Sequence, residues 1–349
     1  MQSNISTHPM EDKKKKFRCQ LPFLMLLTIG TIVILCKNDN SPYQTNHGLI
    51  FGTMYKVTYQ YKEDLHDEIK EELEKVNLSL SPFNPQSTIS RINNNVSDVY
   101  PDSLFMHVFN LAKQISSDTH GAFDITVAPL VNAWGFGFKR SQGVDSATIR
   151  SLQQWIGMQH VSFNGQQIVK ADSCVMLDCS AIAKGFGSDV VAALFDRKDI
   201  RNYMIEIGGE VVVKGINPRR DKWSIGINKP IEDSLAQQSE LQTILHVSDI
   251  ALATSGNYRN YYYRDGKKYA HTIDPRTGHP VEHTILSATV LAPNCATADA
   301  YATAFMVLGL DSAITICNRH SELDGYFIYS DEKGGFAASY SNGFERYIK

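Results

Sequence analysis

Residues 202–215 read NYMIEIGGEVVVKG. Two short apolar runs flank a Gly-Gly pair. The pattern fits two strands joined by a tight turn, because Gly-Gly supplies the positive φ angles that a two-residue hairpin needs. A strand that returns directly along its neighbour is antiparallel, whereas parallel strands need a long crossover. This stretch therefore turns the reading away from a doubly wound sheet.

The same signal recurs on both sides. VSFNGQQIV (161–169) places Asn-Gly between apolar runs, and YRNYYYRDGKKYAHTI (258–273) folds about Asp265-Gly266. FGTMYKVTYQY (51–61) alternates and reads as a strand, as do VMLD (175–178), WSIGI (223–227), LQTILHV (241–247) and ILSATVLA (285–292). Helices interleave. Leu65, Ile69, Leu73, Val76 and Leu80 share one face over 64–80, and Leu104, Val108, Leu111 and Ile115 repeat the period over 103–117. SPFNPQS (81–87) is a turn. AKGFGSDVVAALF (183–195) and TADAYATAFMVLG (297–309) are further helices, the second with Thr297 as N-cap and Gly309 as C-cap. The expectation is an α+β fold, a single compact body of antiparallel sheets with packed helices over 49–349.

The chain has 349 residues, 43% hydrophobic and 20% charged, enough for a sizeable core. A net charge of -3 gives no basic footprint for nucleic acid. Six cysteines without C-x-x-C spacing argue against a zinc ribbon or a thioredoxin-like motif. Cys174 and Cys179 read as buried free thiols, with a pairing between them left open. At the N-terminus, KKKKFR (13–18) precedes the charge-free run LPFLMLLTIGTIVILC (21–36), which is short of the ~20 residues of a spanning helix. Residues 1–36 are expected to be a signal peptide or membrane anchor. Three outcomes stay open: lipidation at Cys36, an uncleaved anchor, or plain cleavage. Each exports the remainder, so the expected place is a bacterial inner membrane, facing the periplasm. Residues 37–48 are polar and read as a tether.

Five stretches could carry chemistry, one of them ATSGNYRNYYY (253–263), which offers the small polar residues Thr254, Ser255 and Gly256 beside a strand. Asp299 and Thr303 lie four apart on one helix face and offer two oxygen ligands for a hard cation. The plainer alternative is an aspartate near a helix N-terminus and a threonine bonded back to its own helix. LDCSAIAKGFGSD (177–189) leads from Asp178 to Lys184 at a helix start, where free N–H groups and an ammonium favour phosphate. It matches neither a P-loop nor a dinucleotide fingerprint, and an ordinary cap explains it equally well. GAFDITVAPLVNAWGFG (121–137) offers Phe123, Trp134 and Phe136, with Phe138 just beyond, as rings to stack on a flat ligand, and Asp124 as an acceptor. Aromatics of this kind are more often core. HTIDPRTGHP (271–280) sets His271 and Asp274 on a rigid turn as base and orienter, with Asp274 alternatively a metal ligand, or both as simple turn residues.

Taken in order, GTMY, SPFNPQSTISRIN, GAFDITVAPLVNAWGFG, LDCSAIAKGFGSD, IEIGGE, ATSGNYR, HTIDPRTGHPV and ATADAYATAFMVLG closely resemble the ApbE family, the FAD:protein FMN transferases, over about 52–309. Older descriptions call such proteins thiamine-biosynthesis lipoproteins. The resemblance implies a T-fold-like body and a magnesium-dependent reaction. FAD is the substrate, a threonine or serine hydroxyl of an acceptor protein attacks the FMN-side phosphorus, and AMP leaves. The acceptors it implies are exported or membrane redox proteins. It places magnesium on Asp299, Thr303 and the carbonyl of Ala181. FAD contacts fall on Phe51, Phe83, Ala122, Phe123, Asp124, Asp178, Lys184 and Ile273, and catalysis on His271 with Asp274. Phe51 stands where relatives usually carry methionine, and Cys179 and Ser180 where many carry small residues or glycine. Two other classes stay open: a FAD pyrophosphatase, with water replacing the hydroxyl, and a non-catalytic flavin-binding lipoprotein.

Overall fold

The hairpin read from residues 202–215 sits at the middle of a large antiparallel sheet. Tyr203–Ile207 pairs with Glu210–Lys214, with Ile207 opposite Glu210, so Gly208 and Gly209 alone make the turn, at φ 64° and 108°. The computed structural model describes Met25 and residues 41–137, 144–230, 240–257, 261–264, 267–331 and 335–348. Apart from Met25, the signal run lies outside these residues, as do the Cys36 assignment, Phe138 and the Asp265-Gly266 turn.

In chain order the strands are β1 (Tyr43–Ile50), β2 (Thr53–Gln60), β3 (Val161–Phe163), β4 (Ile168–Lys170), β5 (Tyr203–Ile207), β6 (Glu210–Lys214), β7 (Trp223–Asn228), β8 (Leu241–Val247), β9 (Ile250–Gly256), β10 (Tyr261–Arg264), β11 (Lys267–Ala270), β12 (Ile285–Ala292), β13 (Asp324–Ser330) and β14 (Phe336–Tyr340). Eight of them form one sheet in the order β1-β2-β5-β6-β9-β12-β13-β14. All its pairings are antiparallel. The other six make three separate hairpins, including those expected at 161–169 and 258–273.

Alternation along the strands gives the sheet two buried faces. On β9, Ala251 and Ala253 join the helix-side cores, while Leu252 packs with Trp223, Leu245 and Phe344 on the other face. On β12, Ala288, Val290 and Ala292 face the helices and Leu291 faces the β7–β8 side. The helix Cys295–Leu308 lies in the helix-side core. Ala296, Ala298, Ala300, Ala302 and Ala304 are all fully buried, so this helix is apolar all round. Small side chains let it approach the sheet closely, and Asp299 on it is held away from water, while Thr297 and Thr303 stay partly exposed. Residues Tyr43–Lys349 form one compact unit.

Five local readings need correction. Residues 43–48, read as the end of the polar tether over 37–48, belong to strand β1 (Tyr43–Ile50). Its polar Asn46 is buried and accepts from Tyr59 Oη at 2.9 Å while donating to Asp64 at 2.8 Å. The 51–61 strand begins at Thr53, because Phe51 (φ 52°) and Gly52 (φ 74°) are the hairpin turn. VMLD (175–178) is not a strand; only Met176 makes an isolated bridge, to Val127. The Thr297 helix begins at Cys295, since Asn294 Oδ1 already accepts from Thr297 N at 2.9 Å. Gly309 ends it as expected. Cys174 and Cys179 are both unpaired; Cys179 is buried as expected, but Cys174 is exposed, against the expected burial. Among the described residues no helix is long and apolar enough to cross a membrane.

Candidate active site

Two helices supply the polar centre. Ala183–Arg197 carries Lys184 in its first turn, directly after Ala181, and Cys295–Leu308 carries Asp299 and Thr303. Gly185 sets their spacing. A Cβ there would lie 2.3 Å from the carbonyl oxygen of Cys295, so only glycine lets the backbones meet. The contact is then fixed by polar bonds. Gly185 N donates to Asp299 Oδ2 at 3.0 Å. Asp189, one turn on, accepts from Cys295 N at 2.7 Å and from Ala296 N at 2.8 Å. Two of the orphan N–H groups at the start of the second helix are satisfied in this way by the first helix.

Asp299 is 2% exposed, and its Oδ2 lies 3.8 Å from Lys184 Nζ. The same ammonium is 3.2 Å from Glu210 Oε1, at the start of β6. Burial alone would lower the Lys184 pKa, but Asp299 and Glu210 outweigh it and hold the amine protonated. Burial, reinforced by Asp299, pushes the Glu210 carboxyl upward, and Lys184 opposes that by favouring the carboxylate. Burial also pushes Asp189 up to about 7, against its two backbone N–H donors. Two carboxyl groups thus gather around one ammonium, and Asp189 interacts electrostatically with Asp299. Thr303 Oγ1 is 3.2 Å from Ser255 Oγ on β9.

The second group is the turn at 271–280. Ile273 bridges Pro280, Asp274 N donates to the His279 carbonyl at 2.9 Å, and Gly278 N donates to the Asp274 carbonyl at 2.8 Å. Asp274 is largely committed inside this turn. It accepts from Arg276 N and from Arg276 Nε through Oδ1, and from a terminal Arg276 nitrogen through Oδ2, all at 2.9 Å. Trp134 Nε1 donates to the Gly278 carbonyl at 2.8 Å, which clamps the turn from outside. Ile273 is buried beside Leu130, Trp134, Ile149 and Ile156. His271 is half-buried, with Phe136 edge-on at 6.4 Å. Thr272 Oγ1 donates to Asn257 Oδ1 at 2.6 Å. Asn257 lies two residues past Ser255, so the end of β9 links the turn to the helix pair.

The remaining expected residues divide. Asp178 N donates to the Ile125 carbonyl at 2.7 Å, which joins the loop before Lys184 to the 122–124 loop. Ala122 and Phe123 are buried, and the Phe123 ring belongs to the main core. Asp124 Oδ1 accepts from the Thr126 hydroxyl at 2.6 Å and its Oδ2 from Met158 N at 3.1 Å; burial raises its pKa. Its carboxylate therefore works within the fold. An open cleft of about 680 Å³ runs between this loop and the turn, lined by Lys113, His120, Gly121, Asp124 and Arg276 among others. Lys184, Asp299 and Thr303 do not line it. The Phe51 ring covers Gly187, where a Cβ would come within 2.5 Å of it. Phe83 is 70% exposed on its turn.

Glu210 and Asp189 are site residues that the sequence reading does not single out, whereas Ser255 stands in the small polar stretch at 253–263. A signal did exist for Glu210, a lone acid opening the run EVVVK. The bonds of Asp274 yield a prediction. Arg276→Ala should reproduce most of any loss of activity seen in Asp274→Ala, and each should cost about 1–3 kcal/mol of stability. Thermal unfolding and activity measured on both variants check this. A loss confined to Asp274→Ala would show instead that its carboxylate acts directly.

The arrangement offers a carboxylate and a hydroxyl on one helix face, both hard oxygen donors. Among the described residues no three His, Cys, Asp or Glu side chains converge as a complete metal cage. An incomplete oxygen set suits a small divalent ion that keeps waters and takes ligands from a phosphate. The surplus of buried carboxylates favours a cation there.

Comparison with known proteins agrees in fold and in extent. The ApbE family model matches residues 51–327. The FAD:protein FMN transferase of Vibrio cholerae is 33% identical over 335 residues, covering 93% of this chain and 98% of its own. That of Haemophilus influenzae is 34% identical over 315 residues, covering 86% and 90%. Among solved structures, the flavin transferase ApbE from Vibrio cholerae superposes with a TM-score of 0.80 at 34% identity, covering 88% of this chain and 99% of that one. The apo flavinyl transferase ApbE of Pseudomonas stutzeri gives 0.77 at 30% identity, covering 88% and 97%.

Proposed function

The chain belongs to the ApbE family, and from that premise we propose that it is an FAD:protein FMN transferase using magnesium. The single observation that carries the reading is the junction of Lys184 and Asp299 across the Gly185 contact, an ammonium and a carboxylate held at one helix start. FAD is the substrate, and the acceptor is a threonine or serine hydroxyl of a partner protein.

Asp299, Thr303 and the carbonyl of Ala181 would hold magnesium, which when bound would draw charge from the pyrophosphate oxygens. Lys184 adds a fixed positive charge beside the same oxygens. In phosphoryl transfer, positioning and charge neutralisation supply most of the rate. The hydroxyl oxygen forms a bond to the FMN-side phosphorus, the P–O bond to AMP breaks, and AMP departs. His271 accepts the hydroxyl proton, with the Asp274–Arg276 pair keeping its turn rigid. Phe51 and Phe83 are offered as the apolar contacts of the flavin end.

The test is incubation of the full chain with FAD, magnesium and an acceptor protein bearing the target threonine, read by in-gel flavin fluorescence. Covalent fluorescence that disappears without magnesium, or when the acceptor threonine is changed to alanine, is expected. AMP release at the same rate with and without acceptor would show a pyrophosphatase instead. We also propose that the chain works outside the cytoplasmic membrane, tethered by its N-terminus. The support is the basic and apolar sequence over 13–36. Mass spectrometry of the mature N-terminus distinguishes lipidated Cys36 from an uncleaved anchor.

A further inference from the structure

We propose that Glu210 is a positioning residue that holds the Lys184 ammonium off Asp299, so that Asp299 keeps room for a divalent cation. This rests on Asp299 as a cation ligand, the reading given above.

Lys184 stands between two carboxylates and is closer to one. Its Nζ is 3.2 Å from Glu210 Oε1, a hydrogen-bonded ion pair, and 3.8 Å from Asp299 Oδ2, beyond hydrogen-bond range. Asp299 Oδ2 takes its hydrogen bond from Gly185 N. A lysine is a compact charge on a flexible four-carbon stem and settles on the strongest acceptor in reach. Without the Glu210 carboxylate, Asp299 is the remaining anion of its two ion pairs. The ammonium would then close on Asp299 and act as a built-in competitor for any metal ion.

Three details of this hairpin turn favour this assignment. Glu210 is 3% exposed, and its Oε2 has no hydrogen-bond partner among the described residues. A buried carboxylate with an unused oxygen is costly, and its ion pair with Lys184 is the compensation the fold provides. Glu210 also directly follows the Gly208-Gly209 turn. A Cβ on Gly208 would lie 3.3 Å from Lys184 Cδ and 2.8 Å from Thr53 Cγ2, so the turn leaves the lysine stem its path to Glu210. The tight hairpin that sets the sheet topology thereby also sets the place of the ammonium.

Manganese, a spectroscopic substitute for magnesium, tests this without FAD or turnover. Its binding to the full chain is followed by electron paramagnetic resonance for the unchanged protein, E210Q, K184M, the double variant and E210D. The expected result is at least tenfold weaker binding in E210Q. Lys184→Met should then strengthen binding at least tenfold in the E210Q background but less than threefold in the unchanged one. If Glu210 acted only as a nearby negative charge, Lys184→Met would change affinity by the same factor in both backgrounds, and that result overturns the proposal. Thermal unfolding of each metal-free protein checks folding. If E210Q does not fold, E210D decides. It keeps the charge but draws the carboxylate back by one methylene, so weaker binding supports the proposal and unchanged binding overturns it. If the unchanged protein binds no manganese, the cation-site reading itself fails.

Discussion

Asp299→Ala is expected to lower FMN transfer by about two to three orders of magnitude, the scale seen when one preorganised electrostatic partner of a transition state is removed. Asp299 is the one side-chain carboxylate in the proposed donor set. It is buried on a helix of mostly apolar side chains, where a charge interacts strongly. The alanine variant alone is ambiguous, because Asp299 also accepts from Gly185 N, and a buried N–H left without a partner costs about 1–3 kcal/mol. Asp299→Asn separates the two effects. The amide oxygen can still accept from Gly185 N, so stability should hold within about 1 kcal/mol, while the charge that attracts a cation is gone. Transfer is read by in-gel flavin fluorescence across a magnesium titration, and stability by thermal unfolding. Full transfer by Asp299→Asn at ordinary magnesium would exclude Asp299 as a ligand.

The sheet was legible in the sequence wherever the local pattern and the tertiary environment agree. Asn-Gly, Asp-Gly and Gly-Gly turns need special φ angles wherever they occur, so the hairpins at 161–169, 202–215 and 258–273 could be read directly. Strand β1 could not, because its buried polar residue Asn46 is satisfied by Tyr59 and Asp64, partners that adjoin it only after folding. The same division runs through the site. Asp299 and Thr303 share a helix face, which spacing reveals. Glu210 and Asp189 act across elements, Glu210 on a lysine 26 residues earlier and Asp189 on N–H groups more than 100 residues later. The role of Asp274 was half legible, since a turn aspartate is expected to bond locally. Its grip on Arg276 depends on how the turn closes.

Gly185→Ala is expected to be the most damaging single-methyl change in the molecule's functional half. The added Cβ would meet backbone, the Cys295 carbonyl oxygen at 2.3 Å and carbon at 2.6 Å, and the Ala296 nitrogen at 2.9 Å. A flexible side chain could turn aside, but a helix N-terminus cannot, so relief requires the two helices to move apart. That motion stretches the Gly185 N–Asp299 bond and both Asp189 contacts together, and leaves buried donors poorly paired. Overpacking of a core costs about 1–3 kcal/mol, and rigid backbone on both sides puts this case at or above the upper end. Gly187, two residues on, is the control. Its Cβ would press on the Phe51 ring at 2.5 Å, a side chain at a hairpin turn that can swing away. Gly187→Ala should therefore cost less stability and leave cation binding intact, while disturbing any flavin contact made by Phe51. Thermal unfolding and manganese binding of the two variants make the comparison. Equal, small effects on both would mean that the close approach at Gly185 does not hold the lysine and aspartate helices in register.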